Sequence, residues 1–449
     1  MLLQEDKFKM YKNELEFVLR EHDRIFSKIR PNTKSLLVPH QEDLEYKLRP
    51  GMVTLTWTSM NIDGYLAHVH GGLAKLEQLI ININDIMENR IENNLKALSK
   101  TVLVNLPQDA RTFTLEEFVE MQEEWIKDES EKLKSKNQEV EGAVEDLIQM
   151  ICSYQLDQHV EPISAEEIQK LSKYYNWSMY QALLHATKYS LNLMKERICG
   201  RRNAPKQVLK PFFEVEVRLE GSLPELKPSM NEVQMAINSA ARHVLKSTKN
   251  VQNWCQKNRP EAERDPFYTW IAKDKEIVKV ILLLTGSIRG TENAIEKFLE
   301  EFQRYEWLFT ERIDDRIRKF NQINPQLEDF EAELLKFSAF EEEIDAIAPN
   351  KQIGALNLQT LHVKGALKER ITLWKTSFAK DLHKKASAKI EDLKDDMKQI
   401  RLKIEKPAAD VDSLGNVMHA LEDIRTRESQ MDIDFRPVLE RASPQLLLT

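Results

Sequence analysis

Few residues of this chain combine the type and the spacing that catalysis or metal binding needs. His68 and His70 are the closest pair of histidines, yet two steps along a helix turn through about 200°, so they do not make half of a zinc site. Cys255 has no histidine near it in the sequence to activate its thiol. The motifs GxGxxG, HExxH and GxSxG, and the Gly-Lys pair of a Walker A loop, do not occur. We therefore predict no catalytic, cofactor-binding or metal-binding residue, and no enzymatic activity for this segment.

The composition predicts a soluble intracellular protein built from helices. Only 12 of 449 residues are glycine, 31% are charged, and the net charge of −8 makes nucleic acid an unexpected partner. The three cysteines form no CxxC pair, which favours reduced thiols in the cytosol. The longest apolar run, at 277–284, is far shorter than the ~20 residues of a membrane span, and no secretory signal follows Met1. We expect no membrane partner.

Apolar residues recur at three- and four-residue steps along most of the chain, a pattern that predicts long amphipathic helices. The run at 277–284 is apolar nearly all round, which predicts a central, buried helix. Gly71 and Gly72 lie inside one predicted helix and mark either a kink or the close approach of another helix. The predicted helices cover residues 4–30, 62–98, 116–146, 164–198, 229–254, 265–285, 291–320, 325–347 and 358–406, and one more begins near 413.

Three short stretches, at 53–58, 101–106 and 212–220, instead alternate apolar and polar residues, as strands do. Pro50 and Gly51 predict a turn before the first of them. We expect the third stretch to pair with 101–106, with 53–58, or with both. Trp57 is then either an ordinary buried tryptophan in a helix–helix loop or an anchor that locks helical modules together. The available pairing partners favour the anchor.

Charge is distributed unevenly between two of the predicted helices. Residues 116–146 hold twelve acids against four lysines, and residues 364–406 hold 13 lysines and arginines against seven acids. Each could be a solvated face. The acidic helix could otherwise bind a basic partner helix, and the lysine-rich helix could face either 116–146 or an external acidic surface. The lysine-rich helix repeats every 3.7 residues, not 3.5, so we expect it to pack in a bundle and not to form a free two-stranded coil.

Together these patterns predict an all-α fold, an elongated stack of helical bundles with a small β patch at about 53–58, 101–106 and 212–220. We expect three modules. The first, 1–100, includes the stretch from Pro50 to Tyr65; the second, 101–228, ends in a strand and linker; the third, 229–449, contains the long helix 358–406.

Several segments resemble, in order, the tail of dynein heavy chains, particularly the gamma class of the axonemal outer arm. Residues 48–63, LRPGMVTLTWTSMNID, are similar to the family's L-x-P-G-x-x-x-L-x-W-x-S signature. Each motif is degenerate, but their shared order over nearly the whole chain is specific. The other similar segments are 103–107 with 114–118, 213–219 with 227–234, 281–287 with 305–307, and 367–374 with 378–383.

The resemblance implies a non-catalytic tail segment that acts as a scaffold and lever in a microtubule motor of cilia and flagella. Its implied partners are dynein intermediate, light-intermediate and light chains, other heavy chains and, indirectly, doublet microtubules of the axoneme, a cytoskeletal structure. The ATPase ring would follow Thr449, and a dimerisation region would precede Met1. Without the resemblance, two alternatives stay open. A cytosolic spectrin-like or tethering adaptor would show a repeat of about 100 residues, which the irregular tryptophan spacing does not support. An enzyme would need a site assembled from scattered residues.

Overall fold

The computed structural model describes residues 2–56, 61–107, 111–154, 156, 160–200, 209–254, 266–405 and 411–441. Over these ranges the chain is mostly helical, with one small sheet, which confirms the predicted all-α fold with a β patch. The helices are α1 Leu2–Ser27, α2 Val38–Val53, α3 Ile62–Asp85, α4 Asn93–Ser99, α5 Leu115–Cys152, α6 Ala165–Cys199, α7 Met230–Lys246, α8 Tyr268–Ile271, α9 Lys275–Thr285, α10 Glu292–Gln303, α11 Trp307–Thr310, α12 Ile313–Gln322, α13 Leu327–Asp345, α14 Leu361–Ile404 and α15 Val411–Arg441. The strands are β1 Phe213–Glu220, β2 Leu223–Lys227, β3 Asn350–Ile353 and β4 Leu356–Gln359.

These elements form two compact units. The first comprises Met1–Phe213 and Met230–Gly290, and the second comprises Glu214–Ser229 and Thr291–Thr449. The division into three modules at 1–100, 101–228 and 229–449 stays a prediction.

The first unit is built around α3, which packs against α1 and α2. A π-helical stretch, Ile86–Glu92, continues α3 into α4, so the predicted helix 62–98 is present as one continuous path. Gly72 lies where α2 approaches α3, since a Cβ there would stand 3.3 Å from Leu44 Cδ1, while Gly71 faces open space. Of the two interpretations of the glycine pair, the structure shows the close approach.

Helices α5 and α6 begin where their capping residues predict. Thr114 Oγ1 accepts a hydrogen bond from the Glu117 amide at 3.3 Å, and the Glu117 carboxylate accepts one from the Thr114 amide at 3.2 Å. Ser164 Oγ accepts from the Glu167 amide at 3.3 Å in the same way. Each cap satisfies amides that the first helical turn leaves without an intrahelical partner.

Two helix predictions within residues 265–320 were wrong. Helix α9 buries only one face, because Ile277, Val280 and Leu284 are buried whereas Leu282 is 68% exposed. It is therefore amphipathic in the described structure and not the central, fully buried helix we expected. The predicted helix 291–320 is divided into α10, α11 and α12.

The second unit is organised around α14, whose 44 residues agree closely with the predicted helix 358–406. Its first half is buried at five positions spaced by three or four residues, and α11, α12 and α13 pack against it. Helix α15 packs on α14 as well. The five buried positions are Val363, Leu367, Ile371, Trp374 and Phe378.

Four strands form one sheet in the order β2-β1-β4-β3, within the second unit. The two outer pairs, β1 with β2 and β3 with β4, are antiparallel hairpins. In β1, Val215 and Val217 face the core, while Glu220 forms an ion pair of 2.8 Å with Lys227 of β2. The strand predicted at 212–220 is thus confirmed. Its partners are β2 and β4, and not the two stretches that we expected.

The other two predicted strands were wrong where the structure describes them. Val53 is the last residue of α2, and residues 54–56 are not in a strand. Residues 57 and 58, including Trp57, lie outside the described residues. Residues 101–106 do not form a strand either. The nearest pairing is a single parallel bridge between Phe113 and Phe213, at the very start of β1.

Candidate functional site

The stretch from Leu48 to Tyr65, which contains the signature, joins α2 to α3, and α2, which was not among the predicted helices, continues into it. Pro50 lies inside α2, so the turn predicted at Pro50 and Gly51 is absent. The helix ends three residues later, where the amides of Thr54 and Leu55 both donate to the Pro50 carbonyl, at 2.9 and 2.7 Å. Proline has no N–H and its ring crowds the preceding turn, so this part of a helix is a weak point that needs support from elsewhere.

Tyr65, from the first turn of α3, supplies that support. Its hydroxyl donates to the Leu48 carbonyl at 2.9 Å and accepts from the Gly51 amide at 3.2 Å. One phenol group therefore holds backbone atoms on both sides of Pro50. Partial burial raises the pKa of Tyr65, further above neutral pH than in an exposed tyrosine.

Gly51 is the residue that allows this approach. A Cβ at position 51 would lie 2.8 Å from Tyr65 Cζ and 2.9 Å from Leu15 Cδ1 of α1. Both separations are shorter than carbon atoms tolerate. The Pro-Gly pair therefore acts in this structure through the missing side chain and not through a turn.

Side chains of α1 and of the residue that follows it contact α3 at several points. Tyr11 donates to Asp63 at 2.9 Å, which raises the pKa of the tyrosine. Farther along, Arg24 and Lys28 both bind Glu77, at 2.8 and 2.9 Å. The hydrogen bond from Lys28, with the charge of Arg24, lowers the pKa of Glu77. The contacts fix the register of α1 along α3.

The segment 101–106 contains no strand, and several of its backbone groups form hydrogen bonds with side chains. The Gln122 amide group accepts from the Asn105 N–H at 3.0 Å and donates to the Asn105 carbonyl at 2.6 Å, as a neighbouring strand would. Ser190 of α6 accepts from the Leu103 amide at 2.8 Å. The indole of Trp125 donates to the Val102 carbonyl at 2.9 Å. Side chains of α5 and α6 therefore take the place of the strand that we expected.

A buried tryptophan joins α5 and α6 to the segment after α7. Trp254 Nε1 donates to Asn137 Oδ1 at 2.9 Å, and the Trp254 amide donates to Asn176 Oδ1 at 3.0 Å. Both asparagines are buried, so these hydrogen bonds satisfy groups that would otherwise be costly inside the core. Sequence reasoning missed this contact, since the partners are 78 and 117 residues away from Trp254.

In the second unit Trp374 has the corresponding role. Its indole N–H and the guanidinium of Arg370 both donate to the Leu308 carbonyl, at 3.0 and 2.7 Å. The ring lies 5.4 Å from the ring of Trp307 in an edge-to-face arrangement. Trp374 thereby ties α11 to α14.

The structure identifies no binding partner for the acidic helix α5 or the lysine-rich helix α14 among the described residues. Along α5, the acidic side chains of Glu116, Glu120, Glu123 and Asp128 are exposed. Because α5 lies in the first unit and α14 in the second, the expectation that the lysine-rich helix faces 116–146 stays a prediction.

Within the described ranges the structure assembles contacts between helices and no reactive group. No three His, Cys, Asp or Glu side chains come together there as a metal-binding group. His68 is exposed, and His70 Nε2 lies 3.4 Å from the Glu14 carboxylate. In the part of the chain described, no helix has the length and apolarity needed to cross a bilayer.

Comparison with known proteins gives these contacts a context. A family model described as dynein heavy chain, N-terminal region 1, matches residues 1–65. Over 443 residues the chain is 37% identical to a protein of Chlamydomonas reinhardtii named dynein gamma chain, flagellar outer arm. It is 26% identical over 520 residues to human dynein axonemal heavy chain 8, and 25% identical over 535 residues to mouse dynein axonemal heavy chain 5.

These alignments include 98%, 98% and 97% of this chain, respectively. They include only 10%, 12% and 12% of the relatives. The chain therefore spans about a tenth of the length of the curated relatives it matches.

Proposed function

The chain belongs to the N-terminal region of the axonemal dynein heavy chains, and on that premise we propose that it is a non-catalytic scaffold segment of a dynein tail. In this role it carries load between helices and holds other dynein chains. The observation that carries the proposal is the alignment of nearly the whole chain with heavy chains of flagellar and axonemal dyneins.

The internal contacts suit a segment under load. The hydroxyl of Tyr65 joins the consecutive helices α2 and α3, while the paired cations on Glu77 and the indole of Trp374 join segments at least 49 residues apart in the sequence. Hydrogen bonds between fixed partners resist sliding of one helix along another better than apolar contacts alone, because they have defined geometry. We infer that these contacts keep the helices in register when the segment is pulled.

The proposed partners are dynein intermediate, light-intermediate and light chains, together with other heavy chains, and through them the doublet microtubules. The proposed location is the cytoplasm and the axoneme of a cilium or flagellum. We assign no ATP hydrolysis to this segment; the microtubule-dependent ATPase activity would belong to other parts of the complete motor.

Affinity capture tests this proposal. The purified, tagged chain is incubated with a detergent extract of cilia, and the retained proteins are identified by mass spectrometry. We expect dynein intermediate and light chains among them, and a spectrin repeat array of similar size and charge serves as the control bait. Recovery of no axonemal dynein chain by a folded bait, as judged by circular dichroism, would contradict the scaffold role.

A hydrolysis assay tests the non-catalytic part separately. The chain is incubated with MgATP, with and without microtubules, and phosphate release is measured. We expect release at the level of a buffer control under both conditions. Turnover that rises with the concentration of the chain would overturn the assignment.

A further inference from the structure

Helices α1 and α2 leave an open groove on the surface of the first unit. Its volume is about 630 Å³. The buried side chain of Leu48 and the half-buried side chain of Leu19 line it, and the walls carry Tyr46, Met52 and Val53. These last three are 53%, 64% and 73% exposed, an unusual degree of exposure for neighbouring large apolar groups.

The charged lining of the groove has one dominant sign. Asp23 of α1 and Glu42 and Glu45 of α2 contribute three carboxylates, against the single guanidinium of Arg49. All four side chains belong to exposed residues. An apolar strip with an acidic rim is complementary to a surface that is apolar along one line and basic beside it.

The α2 wall has the spacing that suits a helix as the occupant. Glu42, Glu45, Arg49 and Met52 follow one another at steps of three or four residues, so they form one ridge along α2. This ridge is about 16 Å long at 1.5 Å per residue, or three helical turns. A helix packs its own ridges into such a groove with an apolar residue at every third or fourth position.

We propose that the α1–α2 groove binds a basic amphipathic α-helix of a partner polypeptide. Apolar side chains of that helix would lie over Leu19, Leu48 and Met52, and its lysines or arginines would lie beside Asp23, Glu42 and Glu45. The proposal deepens the scaffold role and rests on it for the existence of a partner, but the groove itself is a property of this chain and is tested on the purified chain.

The binding test uses a synthetic peptide of about 15 residues, long enough to form a helix on contact. Leucines occupy positions i, i+3, i+4 and i+7, and lysines fill the flanks; a second peptide has glutamates in place of the lysines. Fluorescence anisotropy with the whole chain should show the lysine peptide binding at least tenfold more tightly than the glutamate peptide. Raising the salt concentration should weaken the lysine peptide's binding.

Matched variants locate the site. Glu42→Lys with Glu45→Lys should weaken the lysine peptide roughly tenfold, because two attractive contacts become repulsive. Glu120→Lys with Glu123→Lys makes the same change of charge at the same spacing on α5, and should leave binding unchanged. Met52→Gln should also weaken binding, whereas Met235→Gln, at a residue of similar exposure on α7, should not.

Three results would overturn the proposal. Equal loss of binding in the α2 and α5 charge variants would mean general electrostatic attraction to the chain. Equal binding of the two peptides would mean that the acidic rim does not select a basic helix. The third result is a concentration-dependent dimer in sedimentation that Met52→Gln abolishes, which makes a second copy the occupant. Failure of the scaffold role, in contrast, would appear in the extract capture while this peptide binding persisted.

Discussion

The hydroxyl of Tyr65 lies 3.2 Å from the amide nitrogen of Gly51, and it bonds at the same time to the Leu48 carbonyl, one turn earlier in the same helix. This contact passes from the start of α3 to the proline-containing end of α2. It gives the backbone on both sides of Pro50 hydrogen bonds from another helix. It also makes Gly51 and Tyr65 interdependent.

Gly51→Ala should destabilise the first unit by about 1–3 kcal/mol, because the new methyl group would overlap the Tyr65 ring and Leu15. The free energy of unfolding is measured by chemical denaturation, with hydrogen exchange of the α3 amides as the probe. Gly71→Ala is the control. No atom lies within 4 Å of a Cβ at that site, so helix propensity should make this change neutral or stabilising by up to ~1 kcal/mol. Equal destabilisation by both variants would contradict the clamp.

Gln122→Met should expose the backbone of residue 105 while keeping the side-chain volume. The N–H and carbonyl of Asn105 both lose their partner, and a buried unsatisfied group costs about 1–3 kcal/mol. We expect exchange of the Asn105 amide to accelerate by at least tenfold in a hydrogen-exchange experiment. Gln138→Met, at an exposed position of the same helix, provides the comparison. Unchanged exchange at Asn105 would show that Gln122 does not hold the segment.

Trp374→Ala should destabilise the second unit by about 3–5 kcal/mol, the usual cost of removing a buried aromatic residue. The indole is fully buried, and its loss also removes a hydrogen bond to the Leu308 carbonyl. The neighbouring Leu373 is 49% exposed, so Leu373→Ala should cost far less. Thermal unfolding of both variants, monitored by circular dichroism, checks the difference. Similar losses would mean that α14 is not fixed through its Trp374 face.

The stability of the first unit should fall as the pH drops below 6.5. His40 is buried between α2 and the end of α5, where its Nε2 lies 3.2 Å from the Ile151 carbonyl, with Tyr154, Asp43 and Lys47 as its titratable neighbours. Burial lowers the pKa of His40 below its ordinary value of 6.5. The unfolded chain therefore binds a proton that the folded chain excludes. Stability is fully present above pH 6.5 and is lost as the pH falls toward the folded pKa.

His40→Gln should flatten this dependence, because glutamine can donate to the same carbonyl but does not titrate. Denaturant midpoints at pH 8 and pH 5.5 for the wild-type chain and the variant measure the effect. His68→Gln, at an exposed histidine of α3, should retain the wild-type slope. If both variants keep the slope, another group causes it.

The elements that the sequence predicted best are those whose signal is local. Helix α14 follows from a repeat carried by its own residues, and the caps of α5 and α6 follow from Thr114 and Ser164. The errors concern partners. Alternation in 101–106 predicts an extended chain. It does not predict whether the backbone N–H and C=O groups will bond to another strand or to the side chains of Gln122 and Ser190. Strands β3 and β4, of four residues each, are too short to be separated from a loop by pattern alone.

The anchoring role of Trp57 stays a prediction, and the structure describes a different contact in the same stretch. Sequence reasoning chose the stretch around Pro50 and Trp57 and assigned the anchoring role to the tryptophan, which lies outside the described residues. The anchor that the structure does show is Tyr65. The sequence signal for this contact was a tyrosine near the start of the helix that follows the Pro-Gly pair. A phenol hydroxyl can both donate to and accept from backbone groups beside a proline. The α1–α2 groove had no local signal, since its two walls come from separate helices.

We expect the side chains that bond to the backbone of 101–106 to limit aggregation as well. These six residues, TVLVNL, contain no charge, proline or glycine, a composition typical of segments that stack into amyloid. With Gln122, Ser190 and Trp125 occupying its backbone groups, this segment does not present those groups to another molecule. Loosening of α5 would uncover it. The hydrogen bonds from α5 and α6 would thus limit strand pairing between molecules as well as hold the fold.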